Sequence, residues 1–339
     1  MAAKFTNLYR VLWLPRLLAM GRQAIPPFPA APLKAGDRPA GAKRILFLGD
    51  LSDVMHRRQP ELSDGMKALF ASADLVIANL ETPVVGRSST PFLTAIGMSH
   101  AMPPAFLEGL LETTGIAPER LILSVANNHV GDQGEKGIAE TFATLERMGI
   151  RCVGRKAGWQ PFDVDGLRLA LFAFTTWING PEKVQRAAVN CETPSPAEAA
   201  PPPCDLAVML AHWGNEFRFR PDGEVRHQAR GFADAGCDLV IGTHPHVIQP
   251  LEMMGDTLIA HSLGDFLGTP LPRTPWPQHL SLAVACDVAP GCGLTGHEAH
   301  VYYRDNRGGH ERLMLIDELT GDLRKKAGAL AERVMGNLG

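Results

Sequence analysis

Gly242-Thr243-His244-Pro245-His246 follows directly on the apolar run Cys237-Asp238-Leu239-Val240-Ile241. The apolar run predicts a buried strand, and this strand ends by presenting two histidines that are one residue apart. At the end of a strand, a spacing of two residues sends both imidazoles to the same side, and neutral imidazole is the commonest protein ligand of metals. The stretch therefore predicts a metal site at a strand end.

Four other apolar runs also end in polar residues that can bind metal, and they span 44–50, 75–81, 121–129 and 206–212. Between the runs lie longer segments with helical periodicity, such as 134–148. Alternation of strands and helices predicts an α/β sheet with helices on its outer faces. A sheet edge that receives carboxylate, amide and imidazole groups is the architecture of a metal-dependent hydrolase.

The composition is that of a globular protein and argues against one class of partner. Hydrophobic residues make up 45% of the 339 residues and charged residues 20%, which are ordinary values for a domain with a sizeable core. The formal net charge is −3 at pH 7, so the basic excess that usually marks a nucleic-acid partner is missing. We therefore expect no nucleic-acid binding.

The pattern along the chain predicts three parts. Residues 1–43 are expected to form an N-terminal arm and a Pro/Ala-rich linker, residues 44–320 the domain, and residues 321–339 a C-terminal helix. Residues 8–20 are apolar but are interrupted by arginine and proline, so they fall short of the ~20 residues of a membrane span. They are expected to fold on the domain or to be disordered, with peripheral membrane contact as a further alternative.

Six blocks in order carry a resemblance to a known family: Gly49-Asp50, 73–83 (Ala-Asp-Leu-Val-Ile-Ala-Asn-Leu-Glu-Thr-Pro), 126–129 (Ala-Asn-Asn-His), 212–216 (His-Trp-Gly-Asn-Glu), 242–247 (Gly-Thr-His-Pro-His-Val) and 262–266 (Ser-Leu-Gly-Asp-Phe). They resemble the blocks of the bacterial CapA family of poly-γ-glutamate capsule-synthesis proteins, a branch of the calcineurin-like metallophosphoesterases. The resemblance covers roughly two-thirds of the chain. It implies a four-layer αββα sandwich of two mixed β-sheets flanked by helices, with a metal centre where the strands end.

The resemblance also implies a set of metal ligands for one or two divalent ions, with Mn, Fe or Zn expected from the imidazoles. Asp50 and His246 would bind one metal, Asn128 would bind the other with two further histidines, and Glu81 stands where the superfamily places its bridging aspartate. The implied ligands are Asp50, Glu81, Asn128, His212, His244 and His246.

Further residues are expected around this centre. By the resemblance, His129 would act as general acid for the leaving oxygen. Trp213 and Glu216 are expected at the rim of the pocket, and Arg57 would meet an anionic substrate or would be a solvated surface residue. His100 is expected to be an ordinary surface or core residue.

The sequence departs from the phosphoesterase pattern at three positions. The histidine that usually follows the first aspartate by two residues is Ser52 here, and the bridging aspartate is replaced by Glu81. CapA proteins usually carry asparagine at the position of Asp265, where the added carboxylate would tune a metal or cap a turn. These departures leave the presence of a second metal open.

Two functions are compatible with these residues. The first is a CapA-like metal-dependent hydrolase that acts on an anionic substrate, either a phosphoester or a polymer amide, in capsule or poly-γ-glutamate biosynthesis. The second, favoured by Ser52, is a non-catalytic metal protein that binds or guides a polyanionic capsule polymer during assembly. Capsule-assembly proteins are expected partners in either case. We expect the cysteines to be reduced, and reduced cysteines indicate a cytoplasmic location. The membrane periphery and the cell envelope are the alternatives.

Overall fold

The computed structural model describes residues 3–4, 7–54, 58–95, 98–269, 275–306 and 310–336. The strands of these residues, in chain order, are Ala3–Lys4 (β1), Lys34–Gly36 (β2), Lys43–Val54 (β3), Glu61–Leu62 (β4), Leu75–Leu80 (β5), Leu121–Ser124 (β6), Arg151–Val153 (β7), Gln160–Val164 (β8), Leu167–Thr175 (β9), Trp177–Ile178 (β10), Leu206–His212 (β11), Leu239–Thr243 (β12), Leu251–Met254 (β13), Thr257–Ala260 (β14), Asp265–Thr269 (β15), Leu280–Ala289 (β16), Gly293–Asp305 (β17) and Arg312–Leu315 (β18). The α-helices are Asn7–Ala19 (α1), Asp64–Ser72 (α2), Pro91–Ala95 (α3), Pro104–Thr114 (α4), Gly134–Arg147 (α5), Glu182–Ala188 (α6), Pro196–Ala199 (α7), Gly223–Asp234 (α8) and Gly321–Met335 (α9).

Two mixed sheets form the body of the protein. Within the described residues, one sheet has the strand order β4-β18-β17-β16-β3-β5-β6-β7, with β15 paired to β3 and β2 paired to β17. The other sheet has the order β13-β14-β12-β11-β9-β8. The central strands of both sheets are parallel, so their carboxyl ends reach a common edge. The predicted fold class, two mixed sheets flanked by helices, is confirmed.

Strand β11 shows how the second sheet is buried on both faces. Leu206, Val208 and Leu210 belong to the large core cluster that also contains Phe47 of the first sheet. Met209 and Ala211 of this strand join a second cluster beneath α8. Because side chains alternate along a strand, His212 follows the first group and points between the sheets.

Two segments that are rich in proline or alanine contain regular structure. The expected linker includes β2, which pairs with β17 in antiparallel orientation. The segment 189–203 includes α7, which begins with a capping box made by Ser195 and Glu198. The composition of the linker does not reveal that a distant strand will pair with it.

Helix α1 is folded onto the domain. The Trp13 ring meets the Phe217 ring edge-on at a centroid distance of 5.5 Å. Leu17 and Met20 are buried, whereas Leu18 is exposed. Among the described helices, none has both the length and the apolar composition that crossing a membrane requires.

We expect Gly49→Ala to destabilise the protein, because a Cβ at Gly49 would lie 1.9 Å from the carbonyl oxygen of Gly264. Overpacking of this kind typically costs about 1–3 kcal/mol. The free energy of unfolding, measured by denaturant titration, should fall by that amount. The matched control is Gly328→Ala in α9, where a Cβ meets nothing within 4 Å. That change should raise stability by about 0.5–1 kcal/mol. Equal effects of the two substitutions would contradict the close approach of these strands.

Candidate metal centre

The candidate centre lies where strands of both sheets reach their carboxyl ends. The first sheet brings Asp50 from within β3, Glu81 from directly after β5, and Asn128 from the turn after β6. The second sheet brings His212, which is the last residue of β11, and the two histidines that follow β12. The structure therefore brings together all six side chains that the sequence singled out as metal ligands. Metal binding itself stays a prediction.

Asp50 is completely buried and ties three strand ends together. Its Oδ1 accepts a hydrogen bond of 2.6 Å from Nδ2 of Asn79 in β5. Its Oδ2 accepts one of 2.9 Å from the backbone N–H of His244. Burial, followed by the nearby charge of Glu81, raises the pKa of Asp50 to about 7. A cation in the centre would relieve both causes, so the electrostatics favour a bound metal.

Glu81 lies between two histidines. Its Oε1 is 3.3 Å from Nε2 of His212, and its Oε2 is 3.8 Å from Nδ1 of His246. Ser52 donates a hydrogen bond of 3.0 Å to Oε2, whereas Oε1 is buried and has no hydrogen-bond partner among the described residues. A buried carboxylate oxygen without a hydrogen bond is costly unless an additional ligand satisfies it. Glu81 thus has the position of a bridging ligand.

His212 is held in one orientation by its neighbours. Its Nδ1 is 2.9 Å from Oγ1 of Thr243 and 3.2 Å from Nδ2 of Asn79. Its Nε2 is 2.7 Å from Oδ1 of Asn128. Burial lowers the pKa of His212 to about 3, so the ring is neutral. A neutral, fixed imidazole that faces an amide oxygen and a carboxylate is suited to binding a metal.

A strained turn aims the other two histidines. Strand β12 ends at Thr243, and both His244 and His246 have positive φ, at 94° and 56°. Non-glycine residues adopt this conformation rarely, and such strain concentrates at functional sites. The ring centroids of His244 and His246 are 5.9 Å apart. The two rings meet because of this turn, and the expectation that strand alternation would place them is wrong.

The His246 ring is surrounded by carboxylates. Its Nδ1 donates a hydrogen bond of 2.7 Å to Oδ1 of Asp265 and lies 3.8 Å from Oδ2 of Asp50. Burial alone would lower the pKa of His246, but the carboxylates of Glu81 and Asp265 raise it well above its ordinary value. In this arrangement a proton partly offsets the negative charge of the centre, and metal binding would release it.

His129 lies beside these ligands in a network of its own. Its Nδ1 donates a hydrogen bond of 2.7 Å to Oδ2 of Asp132, and its Nε2 is 3.2 Å from Nδ2 of Asn179. The His100 ring stacks on it at 3.8 Å with an interplanar angle of 2°. Burial would lower the pKa of His129, but the Asp132 carboxylate raises it. His129 is thus a fixed ring with a carboxylate at one nitrogen, as proton transfer requires.

Sequence reasoning missed three members of this network. Asp132 follows His129 by three residues in the same turn, so its proximity was available as a local signal. Asn179 follows β10 and His100 precedes α4, and nothing in their local sequence links them to His129. Only the fold brings these two residues to the ring.

The remaining predicted site residues have different positions. Arg57 lies outside the described residues. Glu216 is buried, and its Oε1 is 3.9 Å from Nε2 of His246. Trp213 is not at a pocket rim: it is buried beneath α8, where it stacks on Phe232 and donates a hydrogen bond to the His261 carbonyl. It follows His212 directly, so its side chain points to the opposite face of the sheet.

A groove of about 640 Å³ opens beside the centre. Trp177 lines it and also packs against His244, with ring centroids 5.4 Å apart. The lining includes the acidic residues Asp222 and Glu224. The groove therefore offers space next to the ligands, but one of its walls carries negative charge.

The donor set fits divalent metal ions. Among the residues that the structure describes, four groups have donor atoms within 4.8 Å of one another, and three of these groups draw on the expected ligands. Carboxylate, amide and imidazole donors together suit Mn, Fe and Zn. The groups that involve the centre are Asp50–Glu81–His212, Glu81–His244–His246 and Asp50–His246–Asp265.

Residues 44–269 match the model of the family described as bacterial capsule synthesis protein PGA_cap. The chain belongs to this capsule-synthesis family. The matched residues contain all six strand-end ligands and His129, so the family region and the candidate centre coincide. The predicted family is confirmed.

Individual relatives agree with this membership. The chain is 28% identical over 222 residues to the PGA biosynthesis protein CapA of Bacillus subtilis. This alignment covers 60% of this chain and 55% of that protein. It is 26% identical over 219 residues to the capsule biosynthesis protein CapA of Bacillus anthracis, covering 58% and 51%. The chain thus spans about half the length of the curated relatives it matches.

Among solved structures, the chain is similar to a phosphatase of Mycoplasma pneumoniae. The TM-score is 0.41 and the sequence identity 15%, and the match covers 79% of this chain and 96% of that one. This likeness does not bear on activity or substrate.

We expect divalent metal to stabilise this capsule-synthesis family member. At a free ion concentration of 100 times Kd, binding to the folded state alone adds about 2.7 kcal/mol. Thermal melting with Zn²⁺ or Mn²⁺, and again with EDTA, measures the shift in Tm. His244→Ala should reduce the shift, because it deletes a donor from one of the two expected metal positions. His227→Ala on the exposed surface of α8 should keep the full shift. An undiminished shift in His244→Ala would show that the ions bind elsewhere.

Proposed function

We propose that this protein is a metal-dependent hydrolase that acts on an anionic substrate in the synthesis of a capsule polymer. The observation that carries the proposal is the convergence of six donor side chains from two sheets with His129 directly beside them. A phosphoester or the amide of a polymer such as poly-γ-glutamate is the proposed substrate class. The names of the relatives, which refer to PGA and capsule biosynthesis, support the connection to the polymer.

The chain's own residues would divide the binding of two metals. Asp50 and His246 would hold one metal, Asn128 would hold the other with His212 and His244, and Glu81 would contact both. When bound, the metals would supply the Lewis acidity that polarises a carbonyl or phosphoryl oxygen. The protein's contribution is to hold these donors in a dry cavity in which they do not rearrange.

His129 would deliver a proton to the leaving group. Asp132 holds its Nδ1–H, so the ring orientation is fixed and Nε2 is the nitrogen that exchanges a proton with substrate. The amide of Asn179 at Nε2 marks the direction from which a leaving group would approach. The ring is buried beneath His100, which limits its rotation.

The groove beside Trp177 bears on how an anionic substrate would bind. Because Asp222 and Glu224 line it, this groove would repel a polyanion. An anionic substrate would therefore find its complementary charge at the metals. We propose that the scissile group binds directly at the centre and that the groove takes a part of the substrate without negative charge.

One observation favours the second candidate, a non-catalytic protein that binds or guides a polyanionic polymer through a retained metal. Ser52 occupies the position of a strong histidine ligand, and its hydroxyl is engaged by Glu81. A metal held by fewer donors can bind a carboxylate of the polymer without catalysing hydrolysis of the polymer.

The two candidates are separated by His129→Ala, which should leave metal content unchanged and slow hydrolysis by about 10²–10⁴, the usual contribution of a general acid. Metal-loaded protein is first assayed on a set of phosphoesters and on γ-glutamyl amides. Metal content is measured by plasma mass spectrometry on the same samples, with His310→Ala as the histidine control, because His310 pairs with Glu61 of β4 and does not line the groove. A hydrolytic rate that is unaffected by His129→Ala would contradict the role of this residue. Metal-loaded wild type that binds poly-γ-glutamate but hydrolyses nothing in the set would favour the second candidate.

A further inference from the structure

The metal position at Asp50 and His246 lacks a histidine that the phosphoesterase pattern supplies. Ser52 replaces the usual histidine, and its short side chain reaches Glu81 Oε2 at 3.0 Å. A neutral hydroxyl that already donates to a carboxylate is a weak ligand for a divalent metal. Another side chain has to complete this position if it is to bind metal firmly.

Asp265 lies where such a donor is needed. It is the first residue of β15, and it pairs in register with Asp50 of β3. Its Oδ1 is 2.7 Å from Nδ1 of His246, and donor atoms of Asp50, His246 and Asp265 all lie within 4.8 Å of one another. The side chain is buried, so its negative charge is not balanced by solvent.

We propose that Asp265 is a ligand of the metal held by Asp50 and His246 and supplies the donor that is missing at Ser52. The proposal rests on the metal centre of the proposed function, and it adds Asp265 to the six ligands that the family resemblance implies. It would make this position a site of carboxylates and one imidazole, which is richer in negative charge than the position formed by Asn128 and two histidines.

The surroundings of Asp265 fit a ligand that is anchored from behind. Its Oδ2 accepts a hydrogen bond of 2.8 Å from the buried guanidinium of Arg304. Arg304 also donates to the Gly268 carbonyl and to Ser281, so it is fixed in place. One carboxylate oxygen is thus held by Arg304 from outside the centre, and the other accepts the hydrogen bond from Nδ1 of His246 inside it. Ligating carboxylates are commonly held in this way by hydrogen bonds outside the metal site.

Charge balance points in the same direction. Arg304 also lies 3.7 Å from Glu311, so it faces two buried carboxylates at once. Asp50 and Glu81 are also buried, and each has an oxygen 3.8 Å from the same Nδ1 of His246 that Asp265 contacts. Buried ions of one sign each cost several kcal/mol unless a counter-ion is near. A divalent metal between Asp50, His246 and Asp265 would supply that counter-charge.

The test is the metal affinity of Asp265→Asn, a nearly isosteric change that keeps the hydrogen bond from His246 but removes the charge. Zn²⁺ and Mn²⁺ are titrated calorimetrically into metal-free protein, and stoichiometry is checked by plasma mass spectrometry. Residues outside a metal's ligand shell typically contribute 10–100-fold in affinity. We therefore expect the loss of one metal per chain or a loss of more than about 100-fold in affinity. A smaller change would overturn the assignment of Asp265 as a ligand.

Asp287→Asn is the matched control. Asp287 is also a buried aspartate that pairs with an arginine, Arg44, but it lies at the far end of β16 from this centre. The Asp287→Asn substitution should leave the stoichiometry and the affinity of metal binding unchanged. It also shows how far the loss of a buried Arg–Asp pair alone affects the protein. Wild-type protein that binds no metal would contradict the proposed function itself, whereas normal binding in both wild type and Asp265→Asn would overturn this inference alone.

A measurement on wild-type protein covers the case in which Asp265→Asn does not fold. In crystals grown with Zn²⁺, anomalous scattering locates the ion. A zinc ion about 2.0–2.2 Å from a carboxylate oxygen of Asp265 would support the proposal. An ion bound by Asp50 and His246 but beyond contact with Asp265 would overturn it.

Discussion

The structure depends on holding the fully buried carboxyl group of Asp50 between two sheets. This carboxylate accepts hydrogen bonds from Asn79 in β5 and from the backbone of His244 after β12, so it joins strands of different sheets. A buried carboxylate without these donors would be too costly to keep. The hydrogen bond from His244 also holds a residue with positive φ in place. The same interaction therefore sets the edge of the first sheet and aims the ligands of the second.

Close approach of the backbones makes this junction possible. The Gly264 carbonyl accepts a hydrogen bond from the Asp50 N–H, and a side chain at Gly49 would collide with that carbonyl. At Gly242 a Cβ would lie 2.0 Å from the carbonyl oxygen of His261. These glycines let β3, β12 and the segment before β15 pack more tightly than residues with a Cβ allow. The six donors converge because the strands that carry them are this close.

The sequence predicted the strands, the polar residues that converge at their ends and the family, because apolar runs that end in polar residues are local patterns. It misplaced Trp213. This residue is adjacent to His212 in a family block, but neighbouring side chains at a strand face opposite sides of the sheet. It missed Asn179 and His100 because both reach His129 through tertiary packing. The partnership of Asp265 with Asp50 depends on pairing between strands 215 positions apart in sequence, which no local periodicity reveals. Local patterns thus identify the donors, and only the fold identifies their neighbours.

The placement of Asp265 is unfavourable for folding alone. Like charges that face each other on adjacent strands are destabilising, and here both Asp50 and Asp265 are buried. Across the other edge of β3, the partner of Asp50 is Asn79, whose neutral amide donates to it. On the side of β5, a neutral amide thus faces Asp50. On the side of β15, a second carboxylate faces it, and Arg304 balances part of this negative charge. Proteins tolerate such local conflicts mainly at functional sites. The imidazolium of His246, whose Nδ1 is 2.7 Å from Asp265 and 3.8 Å from Asp50, offsets part of this negative charge, and in our proposal a divalent metal would replace its proton as the stronger counter-charge.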